Sequence, residues 1–253
     1  MTFDVVGAAY DRFMGRYSLP LATVFADWVG VRAGEDVLDV GCGPGALTGV
    51  LVERSGASHV SAVDPSAPFV ESCRERHPGV EVLLAPAEQL PFGDGSFDAV
   101  LAQLVVHFMQ DPVTGLAEMA RVTRPGGGVA ACVWDLAGDR SPLSPFWSAA
   151  RRLDPTVADE SERAGAREGH LAELAREAGL SDVESAELSV TVTHPSFEEW
   201  WEPYTLGVGP AGDHVAALDP AAREALREEC RSAFPAHGPF DVSAVAWAVR
   251  ARP

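Results

Sequence analysis

The glycine-rich segment 39–45, which reads Asp-Val-Gly-Cys-Gly-Pro-Gly, constrains the fold of this chain more than any other feature. It lies between a short apolar run that begins at Asp36 and a segment, 46–54, whose apolar residues share one side as in a helix. Glycine permits the tight turn and lets a ligand approach the backbone, because it has no Cβ atom. The next helix presents free N–H groups at its first turn. The segment therefore predicts a strand, a turn and a helix with a ligand site between them.

Short β-rich segments continue to alternate with helix-length connections after this turn. The alternation predicts an α/β fold with a doubly wound, mostly parallel sheet and helices on both faces. Two later strands would bring the sheet to seven. The expected strands lie at 36–40, 59–63, 80–84, 97–101, 128–134, 183–192 and 242–249.

We expect a single domain that covers 1–253, with helical caps outside the core. Residues 136–170 are rich in Asp, Arg, Ser, Pro and Glu, and residues 195–235 are too long for a hairpin loop. We expect a core at approximately 30–135, 168–194 and 240–253. The expected cap elements are approximately 1–29, 136–167 and 195–239.

The overall charge limits the possible partners. The chain has 253 residues, with 37 acidic and 19 basic side chains and a formal net charge of -18. Such a protein repels phosphate backbones and anionic lipid surfaces, which argues against nucleic acid and membrane partners. The four cysteines show no CxxC spacing, and no secretory leader or long apolar run is present, so we expect reduced thiols in a cytoplasmic protein. No HxxxH, CxxC or clustered carboxylate and histidine pattern indicates a metal.

An acidic residue, Asp64, ends the second predicted strand about 20 residues after the glycine turn, where dinucleotide-binding folds place a carboxylate against ribose hydroxyls. The turn and Asp64 together indicate a nucleoside site. These residues alone do not identify the ligand, because 41–46 also satisfies the G-x-G-x-x-G/A template of nicotinamide and flavin enzymes. A tight turn beside a helix cap, without a ligand, is the simpler alternative.

Four segments together resemble class I S-adenosylmethionine-dependent methyltransferases, in the branch that methylates small molecules and quinone-like acceptors. Residues 37–45 resemble the first motif of that family. Residues 87–92 with 96–100 resemble its adenine loop and fourth strand, and 124–127 resemble the turn into the fifth strand. Residues 10–17 resemble a segment that folds over the methionine end of the donor. The resemblance is good over residues 8–135 and implies a Rossmann-like enzyme that transfers a methyl group by direct displacement.

The resemblance also implies which residues bind S-adenosylmethionine. Three glycines would line the methionine side, Asp64 would bind ribose, and Pro65 and Ser66 would follow it as secondary contacts. Pro86 stands where the family often has Asp, which removes one expected adenine contact. The complete implied set is Tyr10, Arg16 at the donor carboxylate, Gly41, Gly43, Gly45, Asp64, Pro65, Ser66, Ala87 and Glu88 beside adenine, and Gln103 beside the amino acid.

Catalytic and acceptor-binding residues are less well indicated. His107 follows the fourth strand, where the family often carries His, and is the first candidate for a general base, with local ordering of the loop as the alternative. Trp200, Trp201 and Tyr204 are candidates for an acceptor pocket, although aromatic residues at helical spacing often only pack. A NAD(P)-dependent oxidoreductase and a non-catalytic S-adenosylmethionine-binding protein are the competing functions. The acceptor atom and the oligomeric state are left open.

Overall fold

The computed structural model describes residues 11–253, so Tyr10 lies outside the described residues. Within them the chain forms one seven-stranded sheet with the order β3-β2-β1-β4-β5-β7-β6. The strands are β1 Val37–Val40, β2 Val60–Asp64, β3 Glu81–Leu84, β4 Phe97–Gln103, β5 Thr123–Trp134, β6 Ser181–His194 and β7 Phe240–Arg252. Strands β1 to β5 pair in parallel, and β7 is antiparallel to both β5 and β6.

The predicted α/β fold class and the mostly parallel sheet are confirmed. One strand boundary differs clearly from the expectation, because β5 begins at Thr123 rather than at 128. Thr123 pairs with Phe97, and the register then shifts before Ala99 pairs with Gly128. The irregularity lies at the Arg-Pro-Gly-Gly segment. Proline and glycine interrupt the apolar pattern there, so the pattern does not indicate where the strand begins.

Helices flank the sheet and also form the segments outside it. They are α1 Arg16–Val29, α2 Ala46–Ser55, α3 Ala67–Arg76, α4 Pro112–Val122, α5 Ser144–Leu153, α6 His170–Glu177, α7 Phe197–Trp201, α8 Gly209–Ala217 and α9 Pro220–Arg231. A π-helical turn, Asp11–Gly15, precedes α1, and short 3-10 turns lie at Ala57–His59, Val106–Phe108 and Glu202–Leu206. Among residues 11–253, no helix combines the length and apolar character that a bilayer crossing requires.

Two hydrophobic clusters lie on the two faces of the sheet, as expected for parallel strands that are buried on both sides. Along β1, Val37 packs in one cluster, and Leu38 and Val40 pack in the other. The first cluster extends into the segments after β5 and β6, where the rings of Phe146 and Tyr204 stack with centroids 4.6 Å apart. The segments after β5 and β6, where caps are expected, therefore contribute to the hydrophobic cluster on one face of the sheet.

Candidate functional site

A pocket lies at the carboxyl ends of β1, β2 and β4 and encloses about 750 Å³, including space open to solvent. We call it the glycine-turn pocket. Its walls come from the turn after β1, the end of β2, the end of β4 and the first turns of α2 and α3. Its lining residues are Ser18, Asp39, Gly41, Cys42, Gly43, Pro44, Ala46, Leu47, Asp64, Pro65, Ser66, Phe69, Gln103, Leu104, Val105 and Phe108. In open α/β sheets, this edge is where ligands bind.

The three glycines of the turn have different local roles. All have positive φ angles, of 72° at Gly41, 53° at Gly43 and 99° at Gly45. A Cβ atom on Gly43 would meet nothing within 4 Å, whereas one on Gly45 would lie 2.6 Å from the His77 ring. Gly45 is absent from the pocket lining given above, and its carbonyl oxygen is 2.9 Å from His77 Nε2. Gly45 therefore makes room for His77, while Gly41 and Gly43 border the pocket.

Asp64 is held in a fixed position at the pocket edge. Its Oδ2 accepts a 2.8 Å hydrogen bond from the Gly43 N–H, and its Oδ1 accepts a 2.8 Å bond from the Ser66 N–H. The residue is buried, and burial raises the pKa of its carboxyl above the ordinary value in spite of these two bonds. The carboxylate thus ties the glycine turn to the start of α3. Its remaining lone pairs are available to hydroxyl groups of a ligand.

Asp39 places a second buried acid at the same pocket. Its Oδ2 accepts a 2.6 Å hydrogen bond from the Thr48 hydroxyl, and its Oδ1 has no partner within the described part of the chain. Burial, with a smaller contribution from the charge of Asp64, raises the pKa of Asp39 to about 7. An unpaired buried acceptor is costly, so this oxygen suits a hydrogen-bond donor or a cation in the pocket.

Gln103 contributes a similar acceptor from the end of β4. Its Nε2 donates a 3.0 Å hydrogen bond to the Ser18 carbonyl of α1, while its Oε1 is buried and lacks a partner among residues 11–253. The next residue, Leu104, has a φ of 61°, which is uncommon for a non-glycine residue and frequent at functional sites. Asp39 and Gln103 therefore line one pocket, and each has a buried acceptor without a partner in the described residues, which suits a ligand that donates hydrogen bonds.

Several residues that the sequence placed with this site lie elsewhere. Ala87 is buried in the hydrophobic cluster on the opposite side from the caps. Glu88 accepts hydrogen bonds at its Oε1 from the backbone N–H groups of Gln110, at 2.7 Å, and Asp111, at 3.2 Å. Neither residue is part of the pocket lining. In this structure Glu88 orders the loop that leads into α4.

Arg16 is also directed away from the glycine-turn pocket. Its guanidinium forms an ion pair with Glu199 of α7, and its Nη1 lies 3.0 Å from His194 Nδ1. His194 is fully buried, and its Nε2 is 2.6 Å from the Tyr17 hydroxyl. This network joins α1 to the end of β6 and to α7. Arg16 thus positions a cap in this structure and does not line the pocket that holds Asp39 and Asp64.

A second pocket encloses about 500 Å³, including space open to solvent, and adjoins the first, because Leu104 and Phe108 line both. We call it the cap pocket. It lies between the π-helical turn, the end of β5, the loop before α6 and the start of α8. Its lining residues are Phe13, Met14, Leu104, His107, Phe108, Trp134, Leu136, Leu143, Glu160, Val208, Gly209, Pro210 and Ala211.

His107 lies in the cap pocket. It is buried, and burial, helped by the positive charge of Arg163, lowers the pKa of its imidazole to about 3. Its Nδ1 has no hydrogen-bond partner within the part of the chain that the structure describes. The imidazole is therefore neutral at physiological pH. Its Nδ1 can form a hydrogen bond with a ligand in the cap pocket while the ring stays uncharged.

The three predicted pocket aromatics contribute mainly to packing. Trp200 and Tyr204 line a third pocket of about 230 Å³ together with Arg16 and Tyr17, and Trp201 lines none of the three pockets described here. All three side chains are buried in the hydrophobic cluster under the caps.

Sequence reasoning did not assign Ser18, Phe69, Phe108, Trp134 or Glu160 to a site. Asp39 carried a usable signal, since an acid inside an apolar strand and directly before a glycine turn is uncommon without a partner or a ligand. The other residues come from segments far apart in the chain, so no local pattern could have brought them together.

Comparisons with known proteins identify a methyltransferase domain in this chain. Residues 38–131, which include the glycine turn, Asp64 and Gln103, match the family model for a methyltransferase domain. An uncharacterized methyltransferase of Mycobacterium tuberculosis is 39% identical over 140 residues, which are 55% of this chain and 54% of the relative. A demethylmenaquinone methyltransferase of Beutenbergia cavernae is 39% identical over 127 residues, which are 50% of this chain and 49% of that protein. The chain spans about half the length of the curated relatives it matches.

The fold has a close counterpart among solved structures. A candidate methyltransferase of Bacillus halodurans superimposes with a TM-score of 0.58 and 19% sequence identity, over 92% of this chain and 97% of the other. At this level of identity the likeness establishes the shared fold.

Proposed function

The chain belongs to the class I S-adenosylmethionine-dependent methyltransferases through its domain at residues 38–131, and from this premise we propose that it transfers a methyl group from S-adenosylmethionine to a small molecule by direct displacement. The observation that carries the proposal is Asp39, which lines the glycine-turn pocket and whose buried Oδ1 lacks a partner within residues 11–253. S-adenosylmethionine, when bound, supplies a methyl group on a positively charged sulfonium, together with an ammonium group and ribose hydroxyls.

The residues of the pocket fit such a ligand. Asp39 Oδ1 and Gln103 Oε1 are acceptors for an ammonium group, and the fixed carboxylate of Asp64 is an acceptor for ribose hydroxyls. Gly43 leaves open space where a side chain would otherwise stand. Phe69 and Leu104 add apolar walls that exclude water from the ligand. Firm positioning of two reactants can contribute about 7–11 kcal/mol to lowering a barrier, so binding and alignment are the main tasks of these residues.

The electrostatics of the pocket favour a cationic donor over a nicotinamide dinucleotide. Two buried acids, Asp39 and Asp64, line it, and its described lining contains no Lys, Arg or His. A pyrophosphate would bring negative charge next to Asp39 without a basic side chain to balance it. The adjoining cap pocket offers space for a second molecule beside the donor, which favours catalysis over donor binding alone.

Calorimetric titration with S-adenosylmethionine, S-adenosylhomocysteine and NAD tests the donor assignment, and radiolabel transfer from S-adenosylmethionine to a panel of small molecules tests the reaction. We expect both sulfur nucleosides to bind and NAD not to bind. Binding of NAD alone would identify an oxidoreductase and overturn the proposal. Tight binding of both sulfur nucleosides without transfer to any acceptor would instead favour a non-catalytic binding protein.

A further inference from the structure

The cap pocket contains a buried hydrogen-bond donor without a use inside the protein. Trp134, at the carboxyl end of β5, is 2% exposed, and its Nε1 has no hydrogen-bond partner within residues 11–253. Buried indole N–H groups usually find a partner, because leaving one unpaired forfeits the bond that it made with water. Trp134 is one of the residues that line the cap pocket, so a ligand in that pocket is the candidate for the missing acceptor.

The charges around the pocket are already balanced. His107 and Glu160 are the ionisable residues in its described lining. Burial keeps the imidazole of His107 neutral by lowering its pKa. Glu160 is 4% exposed, but its Oε2 accepts a hydrogen bond from Trp147 Nε1 at 3.3 Å, and its Oε1 lies 3.4 Å from Arg163 Nε. The carboxylate therefore has its counter-charge and its hydrogen bonds without a ligand.

The rest of the lining is apolar or aromatic, from Phe13, Leu136 and Leu143 to Val208 and Ala211. A charged ligand in this setting would lose its hydration and meet no free charge of opposite sign, which is strongly unfavourable. A wholly apolar ligand would leave the Trp134 N–H and the His107 Nδ1 unsatisfied. The pocket thus favours a molecule with no net charge and at least one hydrogen-bonding oxygen.

We infer that the cap pocket binds an uncharged, largely apolar methyl acceptor, whose oxygen accepts a hydrogen bond from Trp134 Nε1. Trp134 is then a specificity-determining residue. The role as acceptor site rests on the proposed function, because the cap pocket meets the glycine-turn pocket at Leu104 and Phe108. His107, whose Nδ1 is also unpartnered within the described residues, lines the same pocket and offers a second polar contact.

The test uses four para-substituted ethylbenzenes that differ in one group. They are para-ethylphenol, which is neutral and has an oxygen, para-ethyltoluene, which lacks a polar group, para-ethylbenzoate, which is an anion, and para-ethylbenzylamine, which is a cation near neutral pH. Each is titrated calorimetrically into the full chain, with and without saturating S-adenosylhomocysteine. The phenol should bind about tenfold more tightly than the toluene, the advantage of one hydrogen bond to an otherwise unpaired group, and the two charged probes should bind most weakly.

Two variants separate the Trp134 N–H from general packing. Trp134→Phe keeps a ring but removes the donor, and it should reduce the preference for phenol over toluene well below tenfold, with any remaining preference due to His107. Trp247→Phe is the matched control, because Trp247 lies on the adjoining strand opposite Val133, also has a buried unpartnered Nε1 within the described chain, and lines none of the three pockets. It should retain the full preference.

The inference is overturned if the toluene binds as well as the phenol, if a charged probe binds most tightly, if Trp134→Phe retains the preference, or if no probe binds. Failure of the proposed function has a different signature. In that case S-adenosylhomocysteine gives no heat of binding, while the preference among the four probes is still measured on the protein alone.

Discussion

The Thr48 hydroxyl donates a 2.6 Å hydrogen bond to Asp39 Oδ2 and leaves the other carboxylate oxygen of Asp39 without a partner in residues 11–253. The bond joins the first turn of α2 to the middle of β1 and fixes the carboxylate at the glycine-turn pocket. Because burial raises the pKa of Asp39 to about 7, this group changes charge within the range in which the protein would work. Donor binding and folding should therefore both depend on its protonation.

Donor affinity should rise with pH through the titration of Asp39. The ionised form attracts the ammonium group of the ligand through a charged hydrogen bond, which is worth about 1.5–3 kcal/mol. With a pKa of about 7, the ionised fraction of Asp39 rises about tenfold from about pH 6 to pH 8, so affinity should increase by up to about tenfold over this range. Calorimetric titration with S-adenosylhomocysteine at several pH values, on wild type and Asp39→Asn, measures the effect. Changes in the protonation of the ligand itself affect both proteins equally. The difference between their pH dependences therefore reports on Asp39 alone. Equal pH slopes for the two proteins would contradict the assignment.

Stability without ligand should show the opposite dependence on pH. The folded-state pKa of Asp39 is raised from 3.8 to about 7, so the folded protein holds this proton more tightly than the unfolded chain does. The resulting contribution to stability is fully present below pH 3.8 and is lost as pH rises through about 7. Urea denaturation over this range should show that wild type loses stability relative to Asp39→Asn as pH increases. A constant difference between the two proteins would count against the raised pKa.

Substitution of Asp64 should weaken donor binding. Asp64→Ala removes the acceptor proposed for ribose and also releases the N–H groups of Gly43 and Ser66, so we expect a loss of about 1.5–3 kcal/mol in binding free energy. Asp94→Ala is the matched control, because the Asp94 side chain is 82% exposed and lies away from the pocket. Undiminished affinity of Asp64→Ala for S-adenosylhomocysteine would rule out this role.

Two glycines of the turn should respond differently to alanine. Gly43→Ala places a Cβ in open pocket space at positive φ, which costs about 1–2 kcal/mol in stability and should reduce donor affinity. Gly45→Ala adds a clash with His77 to a similar backbone cost, and overpacking of this kind costs about 1–3 kcal/mol more. A double-mutant cycle of Gly45→Ala with His77→Ala, followed by urea denaturation, should show coupling. Additive effects would mean that His77 is not the neighbour that requires glycine.

His107 should act as a neutral hydrogen-bonding group. Because burial lowers its pKa to about 3, the pH–rate profile from about pH 5 to pH 8 should show no limb that belongs to this imidazole. His107→Ala should leave donor affinity nearly unchanged, since the side chain lines the cap pocket, and should raise the KM for the acceptor. An acid limb near the ordinary histidine pKa that disappears in His107→Ala would establish a general base instead. Unchanged turnover and KM would remove His107 from the reaction.

The fold was predictable from the sequence because its signals are local. Apolar runs that alternate with amphipathic segments predicted all seven strands, and the helix expected at 46–54 is observed at Ala46–Ser55. The glycine turn and Asp64 were recognisable for the same reason, since strand, turn, helix and second strand are consecutive. Thr123 was missed as the start of β5 because proline and glycine interrupt the apolar pattern there.

The sequence could not predict which of the expected site residues line a pocket and which pack elsewhere, because this depends on contacts between distant segments. Arg16 pairs with Glu199 and approaches His194, residues more than 170 positions away. The packing role of Gly45 depends on His77, 32 residues later. The cap pocket brings Phe13, Trp134 and Glu160 together from three separate parts of the chain. Only the tertiary structure shows that Trp134, with its unpaired indole N–H, and the neutral His107 line the same pocket.

The most direct test of the central claim is a crystal structure of the protein with S-adenosylhomocysteine. Our account predicts that the nucleoside occupies the glycine-turn pocket, with its ammonium group at Asp39 Oδ1 and Gln103 Oε1 and its ribose hydroxyls at Asp64. A complex in which the nucleoside lies outside this pocket, or in which Asp39 Oδ1 is still without a partner beside the bound ligand, would contradict it.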